Sequence, residues 1–335
     1  MSDAISPRRG RRSHLFIHLG TVLGGAYILA TLALMWWWDH EPSLFDAPGT
    51  SVETAPARSG PPVTGGAMVR SLARVAGTLL DKRGGYLSND KLPPGVLMDN
   101  MPNWEFGALV QVRDLAKAMR NDFSRSQTQS VEDVDLAEAD PLFSSPNDRW
   151  LLPSSESQYR KGIARVEAYL ARIEAPGGNA HFYARADNLA DWLAIVEKRL
   201  GSLSQRLSTS AGQAVLDTDP DSSGEVGPDG LTVVRTPWTK IDDVFYEARG
   251  STWALLHFLK AVEVDFDRVL RDKNALVSLR QIIRELEDTQ APLGSPIVLN
   301  GTPFGFFANH SLVMANYISR ANAAIIDLRR LLERG

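Results

Sequence analysis

Along most of this chain apolar residues return every three or four positions, the period of a helix with one buried face. Met68, Leu72, Val75 and Leu79 keep that spacing and predict a helix that Gly84 and Gly85 stop. A second helix is expected after Asn103, which is placed to cap it, with Phe106, Val110, Arg113 and Lys117 on successive turns beside Leu109, Val112, Leu115 and Ala116. Ser130 with Asp133, and Ser155 with Gln158, resemble capping boxes for the next two, the second carrying a stripe of Ile163, Val166, Leu170 and Ile173. Leu189, Leu193, Val196, Leu200, Leu203 and Leu207 then form the seam of a helix packed lengthwise on another. The same rhythm runs from Ile241 through Phe245, Thr252, Leu259 and Phe266 to Val269, predicting a helix of about 30 residues, about 45 Å long. Leu276, Leu279, Ile283 and Leu286 follow, and Met314, Tyr317, Ala321, Ala324, Leu328 and Leu331 close the chain. The expected fold class is all-α, a long-helix bundle. The segments "QAVLD" and "LTVVRTPW" leave room for one short β-hairpin near 214–238. Whether the seams pack within one chain or against a second copy is left open.

One stretch breaks the period by being apolar all round. Leu15–Trp38 is about 36 Å long as a helix, enough to span a bilayer. Arg8, Arg9, Arg11 and Arg12 precede it and predict a cytoplasmic N-terminus, while Trp36, Trp37 and Trp38 fit the far interface as an aromatic belt. A cleaved signal peptide would have a shorter apolar core ending at a small-residue site, and the nearest such site, Ala55–Ala57, lies well beyond. The segment therefore reads as an uncleaved anchor. Gly20 and Gly24 form a GxxxG that can bring two such helices together, so a homodimer through this face is left open. The chain divides into a basic tail (1–14), the anchor (15–38), a Pro-, Gly- and Ser-rich flexible spacer (39–66) and a helical domain (67–335) outside the cytoplasm.

Composition narrows the chemistry. The chain has 335 residues, 44% of them hydrophobic, a formal net charge of −4 and no cysteine. Disulfides, thiolate metal sites and cysteine nucleophiles are excluded, and no basic face argues for nucleic acid. Metal hydrolysis needs clustered histidines, whereas His181, His257 and His310 stand alone in their segments; neither a metal nor a cofactor is expected. The acidic loop Asp217–Glu225 alternates carboxylates like a calcium loop but has Ser222 and Pro228 where Gly and Glu belong, so it reads as a solvated turn. Ser88 and Lys91 match S-x-x-K, yet Pro93 and Pro94 disfavour the helical turn that the chemistry needs.

The least helical stretch, Gly84–Leu109, mixes turn residues with Tyr86, Leu87, Leu92, Val96, Leu97, Met98, Met101 and Trp104, the pattern of an ordered loop packed across the end of a bundle. Glu105 stands between Trp104 and Phe106, where desolvation could raise its pKa as a general acid for sugar cleavage requires; helix-dipole stabilisation accounts for it and requires nothing else. A second aromatic loop holds Phe304, Phe306 and Phe307. Together with Tyr86, Trp104 and Glu105 these are the candidate ligand-binding residues, with Trp104 and the three phenylalanines as groove walls.

"GGYLSND", "PPGVLMDNMPNWEFG", "RDLA" and "FSRSQTQSVED" together resemble a family of uncharacterised Gram-negative bacterial proteins, domain of unknown function number twenty-three thirty-three. The resemblance implies a bacterial inner-membrane setting and brings no activity, cofactor or catalytic residue. The expectation is thus a single-pass inner-membrane protein with a periplasmic domain serving as an interaction or scaffold module of the cell envelope, its protein partner unidentified. The alternatives are a sensor or small-molecule binder using the aromatic loops, and a glycan-active enzyme using Glu105.

Overall fold

The computed structural model describes residues 10–45, 63–126, 131–211, 225–226, 232–233, 236–295, 297–301 and 308–334. The apolar stretch is α1 (Gly10–Trp38), and the bundle consists of α2 (Gly66–Asp81), α3 (Asn100–Ala118), α4 (Val134–Phe143), α5 (Ser155–Glu174), α6 (Ala186–Ser210), α7 (Ile241–Asp265), α8 (Asp267–Asp272), α9 (Leu276–Asp288) and α10 (His310–Glu333). It is an all-α bundle. Glu225–Val226 and Thr232–Val233 pair antiparallel as a two-residue ladder, so the second expected strand meets the end of the acidic loop, and the first, 213–217, lies outside the described residues. Asp217–Gly224 of the acidic loop lie outside the described residues.

α2, α3 and α7 form the middle of the bundle, with α4 and α5 packed on one side and α6, α9 and α10 on the other. The seam read from Leu189 to Leu207 is buried throughout, and α10 covers it, so this seam is satisfied within one chain. On α10 the buried stripe is Met314, Ile318, Ala321, Ile325, Leu328 and Leu332, one residue away from the expected Tyr317, Ala324 and Leu331 at alternate turns.

The centre is a close crossing of α3 and α7. A Cβ built on Gly107 would lie 2.0 Å from the carbonyl oxygen of Glu247, and one on Gly250 would lie 1.9 Å from that of Trp104. Only glycine lets the two backbones touch here. The contact lets Trp104 meet Trp253 at 5.0 Å between ring centroids, both rings fully enclosed.

Helix starts are moved from their expected places. α3 starts at Asn100 with Asp99 as its cap, and Asn103 instead donates from its amide to Asp243 Oδ1 at 2.9 Å. Asp133 itself caps α4, accepting from the N–H groups of Asp135 and Leu136; Ser130 lies outside the described residues. Ser154 rather than Ser155 caps α5, because Ser155 is buried and bonded to the Pro146 and Arg149 carbonyls. The expected 30-residue helix stops at Asp265 and resumes as α8. At this break the Asp265 carboxylate reaches across the bundle, accepts the Met68 N–H at 2.7 Å and holds the start of α2.

Ala substitution at Gly107 or Gly250 should destabilise the bundle by about 1–3 kcal/mol or more through overpacking against backbone. Gly77→Ala, mid-helix with open space around its Cβ, should be neutral or stabilising by up to about 1 kcal/mol. Equilibrium denaturation of the three variants checks this; equal behaviour would refute the close-crossing account.

Candidate functional site at the helix exit

The chain leaving α1 does not behave as a spacer. Residues 39–45 lie against the bundle, held chiefly through Glu41 and Phe45. Glu41 receives Arg249 Nε and Nη2, each at 2.6 Å, in a two-pronged pair. Arg249 is buried, and its remaining Nη1 donates to the Thr289 and Ala291 carbonyls at 3.1 and 2.9 Å. Phe45 then stacks flat on His257, centroids 3.6 Å apart and planes within 4°. The Arg74 guanidinium covers Phe45 at 3.9 Å. Nearer the apolar helix, the Trp38 ring lies over Gly84, Arg83 sits 4.4 Å from the Trp37 ring, and Asn100 donates to Asp39. The expected flexible spacer therefore starts with a fixed strap; 46–62 lie outside the described residues.

The strap also starts at a definite end of the bundle. Trp38 sits where α2 ends, while α2 begins at the opposite end of the bundle, beside Asp265. The two ends of α2 lie about 24 Å apart, for its 16 residues.

His257 is fully buried between Phe45 and Trp253. Neither ring nitrogen finds a hydrogen-bond partner of good geometry. Burial, with the positive charges of Lys260 and Arg74, pushes its pKa down to about 3, a Phe45 backbone group working slightly the other way. It is a neutral aromatic spacer at ordinary pH.

Beside the strap, the loop from Gly84 closes on a buried ion pair. Lys82 Nζ meets Glu105 Oε1 at 2.6 Å, with side chains 2% and 0% exposed. The same carboxylate accepts the N–H groups of Leu87 and Ser88, both at 2.8 Å, and the Ser88 hydroxyl. Burial pushes the Glu105 carboxyl upward, while Lys82 and these donors hold it down. The raised pKa expected for a general acid thus has a cause, but a carboxylate with four partners and no exposed surface has no room for a sugar. Glu105 pins the loop.

The other candidate residues are placed as follows. Tyr86 is buried with Trp104 and Glu105, so the three come together in the interior and not as the wall of a groove. Phe304, Phe306 and Phe307 lie outside the described residues, as do Arg8 and Arg9. Trp36 and Trp37 are exposed and Trp38 is partly buried against the bundle. Gly20 and Gly24 face open space, with no atom within 4 Å of a built Cβ. Leu87 and Met101 turn inward as expected of a plug, but Leu92, Val96 and Leu97 point into solvent.

Two clefts remain. One of about 790 Å³ opens between the strap and α2, with His40, Glu41, Arg74, Asp81 and Arg83 among its lining. The other, of about 310 Å³, lies between α3, α6 and α7, where Arg199 and Arg206 are already paired with Asp114 and Glu247. Among the described residues no group of three or more His, Asp or Glu could hold a metal ion.

Sequence reasoning missed Glu41, Phe45 and Arg249. Glu41 looked like the polar exit from an apolar helix, and Arg249 sits on a helix whose pattern reads correctly without it. The signal available was a single arginine in Ala248–Leu259, a stretch with no other Lys, Arg, Asp or Glu.

Comparison with family models decides the relationship. The model described as an uncharacterized protein conserved in bacteria (DUF2333) matches residues 11–335. The chain belongs to this family. Comparison with curated proteins and with solved structures returned no match. The family match takes in the apolar helix, the strap and the bundle together.

Glu105→Gln should lower stability by about 3–5 kcal/mol, because it leaves Lys82 buried and unpaired, whereas pairing it with Lys82→Met should restore much of the loss. A double-mutant cycle in denaturant measures the coupling; additive losses would show that the pair does not act as a unit.

The pH dependence has two opposed parts. His257 is neutral when folded and takes a proton near pH 6.5 when unfolded, so its contribution is complete above about pH 6.5 and lost as pH falls towards about 3. Asp265, raised by burial to about 6 from 3.8, keeps a proton in the folded state through that window and adds stability on acidification. In the difference between parent and His257→Phe only the first part survives. The variant should gain in relative Tm as pH is lowered from 7 to 5, and a constant difference would contradict the neutral-histidine account.

Proposed function

We propose that this chain is a membrane-anchored interaction or scaffold protein of the bacterial cell envelope, spanning the inner membrane once with its N-terminus in the cytoplasm and its bundle in the periplasm. The observation that carries this reading is the strap. α1 contains a 23-residue segment, Phe16–Trp38, apolar enough to cross a membrane and unburied by the rest of the chain, and its exit is tied to the bundle through Glu41 and Phe45. A span and a domain joined this way keep a fixed mutual orientation, which suits a part that presents a surface to a partner at a set height above the bilayer.

The strap also speaks against removal of the apolar helix as a signal. Cleavage near Ala55–Ala57 would release Glu41 and Phe45 from covalent connection to the bundle. Arg249 would then be a buried charge without its carboxylate, a state that costs about 3–5 kcal/mol. The orientation rests on the arginines before the span and the tryptophans after it. The enclosed state of Glu105 weakens the glycan-cleaving alternative. The small-molecule alternative moves from the aromatic loops to the cleft of about 790 Å³ beside the strap, whose lining of Arg74, Arg83 and His40 against Glu41 and Asp81 suits a polar ligand.

Two measurements test this. Protease added to spheroplasts, but not to intact cells, should digest the bundle; protection in spheroplasts would reverse the topology. Affinity purification of the full chain from gently solubilised membranes should recover a partner protein. That partner should persist when α1 is replaced by an unrelated span that keeps residues 38–45. Loss of the partner on replacement would move the interaction to the Gly20 and Gly24 face, and recovery of none would sink the scaffold reading.

A further inference from the structure

Helix directions place several loops at one end of the bundle. α2 ends at Asp81, while α3, α5 and α7 begin at Asn100, Ser155 and Ile241. Arg160 near the start of α5 pairs with Asp81 at 2.9 Å, and Asn103 near the start of α3 bonds Asp243 near the start of α7 at 2.9 Å. Asn89 in the first loop donates to the Arg149 carbonyl at 2.7 Å and to Glu156 at 2.8 Å, which ties in the loop before α5. The end of α7 and the start of α2 meet at Asp265, at the opposite pole. The loop-bearing end is also where α1 arrives, since Trp38 covers Gly84 and Arg83 lies on Trp37.

The exposed apolar side chains concentrate at this end. Leu92 and Leu97 stand out from the first loop, Trp150, Leu151 and Leu152 from the second, and Trp238 from the turn before α7. Leu152 is 94% exposed and Trp238 82%. Of the tryptophans outside α1, Trp104, Trp192 and Trp253 are enclosed in the core, and the two exposed ones, Trp150 and Trp238, both lie here. These loops are held in shape. Val96, Leu97 and Met98 donate back to the Leu92, Pro94 and Gly95 carbonyls, and Ser155 fixes the Arg149 turn. They hold large apolar groups in water without burying them against one another in the core.

We infer that this end of the bundle is a second membrane-contacting surface, with Leu92, Leu97, Trp150–Leu152 and Trp238 inserted into the headgroup and upper acyl region of the bilayer that α1 crosses. The inference rests on α1 being a membrane anchor, as proposed above. The occupant is a lipid surface because the patch is continuous with the Trp36–Trp38 end of the span, where the bilayer interface must fall. Tryptophan and leucine on ordered loops, flanked by long cationic side chains, are the groups that partition there. Lys91 and Arg149 are exposed beside the apolar groups and can reach phosphates. Their charge is offset by Asp90, Asp99, Asp148 and Asp242 at the same end, so the contact is apolar and needs no anionic lipid. The domain then sits on the membrane with the helix axes of its middle layer pointing away from it.

The absence of cysteine in this chain makes single labels straightforward. The full-length protein would be prepared with one cysteine at Leu97, Leu151 or Trp238, at Leu29 within α1, or at Val277 at the start of α9 near the far pole. Each would carry an environment-sensitive fluorophore in phosphatidylcholine vesicles, with and without a lipid bearing a nitroxide near the top of its acyl chain. Labels at 97, 151 and 238 should be quenched several-fold more than the label at 277, as should the label at 29. Quenching at 29 with 97, 151 and 238 no more quenched than 277 would overturn the second contact while leaving the anchor in place. No quenching at 29 would remove the anchor reading and this inference together. Three separate positions keep the test valid if one substitution disturbs folding.

Discussion

A guanidinium taken out of water must find a carboxylate, and in this protein Arg249 finds it outside the bundle's own helices. Its four donated hydrogen bonds join the strap, through Glu41, to the carbonyls after α9, so one side chain ties the exit of the apolar helix to both the middle and the outer layer. Thr252, Thr289 and Gln290 extend the polar contacts around it. Such a pair adds little net stability compared with apolar packing, but its loss is expensive. It therefore acts chiefly as a constraint on position, and the orientation of α1 follows from it.

Around that constraint the interior is organised by close backbone approach. Gly107 and Gly250 let α3 and α7 touch, which brings Trp104 against Trp253 with their planes tilted, and Trp253 with Phe45 encloses His257. The strap is thus continuous with the core and not merely laid upon it. The Lys82–Glu105 pair plays the corresponding part for the loop after α2, drawing Tyr86 and Leu87 inward while Leu92, Val96 and Leu97 face outward. Both ion pairs lie at the end where α1 arrives, and both shape what that end presents to its surroundings.

Much of the bundle was legible because burial of one helical face leaves a period in the sequence. Leu189 to Leu207 read as a seam and are one; the turn of Gly84 and Gly85 stops the chain near where α2 ends. Caps were less legible. Asp99, Asp133 and Ser154 each stand within a few residues of an equally good capping residue, and the choice among them depends on tertiary partners such as Asp243 for Asn103 and the Arg149 carbonyl for Ser155. The break at Asp265 has the same cause, since its carboxylate serves α2 at a distance of nearly two hundred residues in the chain. Composition suggested a flexible spacer over 39–66, because a single Glu and a single Phe carry no periodicity that would mark 39–45 as docked.

By itself the sequence determined the all-α class, the apolar helix with its arginines and tryptophans, and most of the buried faces. These depend on local period and on the sign and place of charge, which are properties of neighbouring residues. Only the tertiary structure decided that the apolar helix is strapped to the bundle, that Glu105 is enclosed by Lys82 and the Ser88 turn, and that Leu92, Leu97, Trp150 and Trp238 share one exposed end. Each of those depends on residues far apart in the chain being brought to the same place, and the energy of a buried pair or the exposure of an apolar side chain exists only once that place has formed.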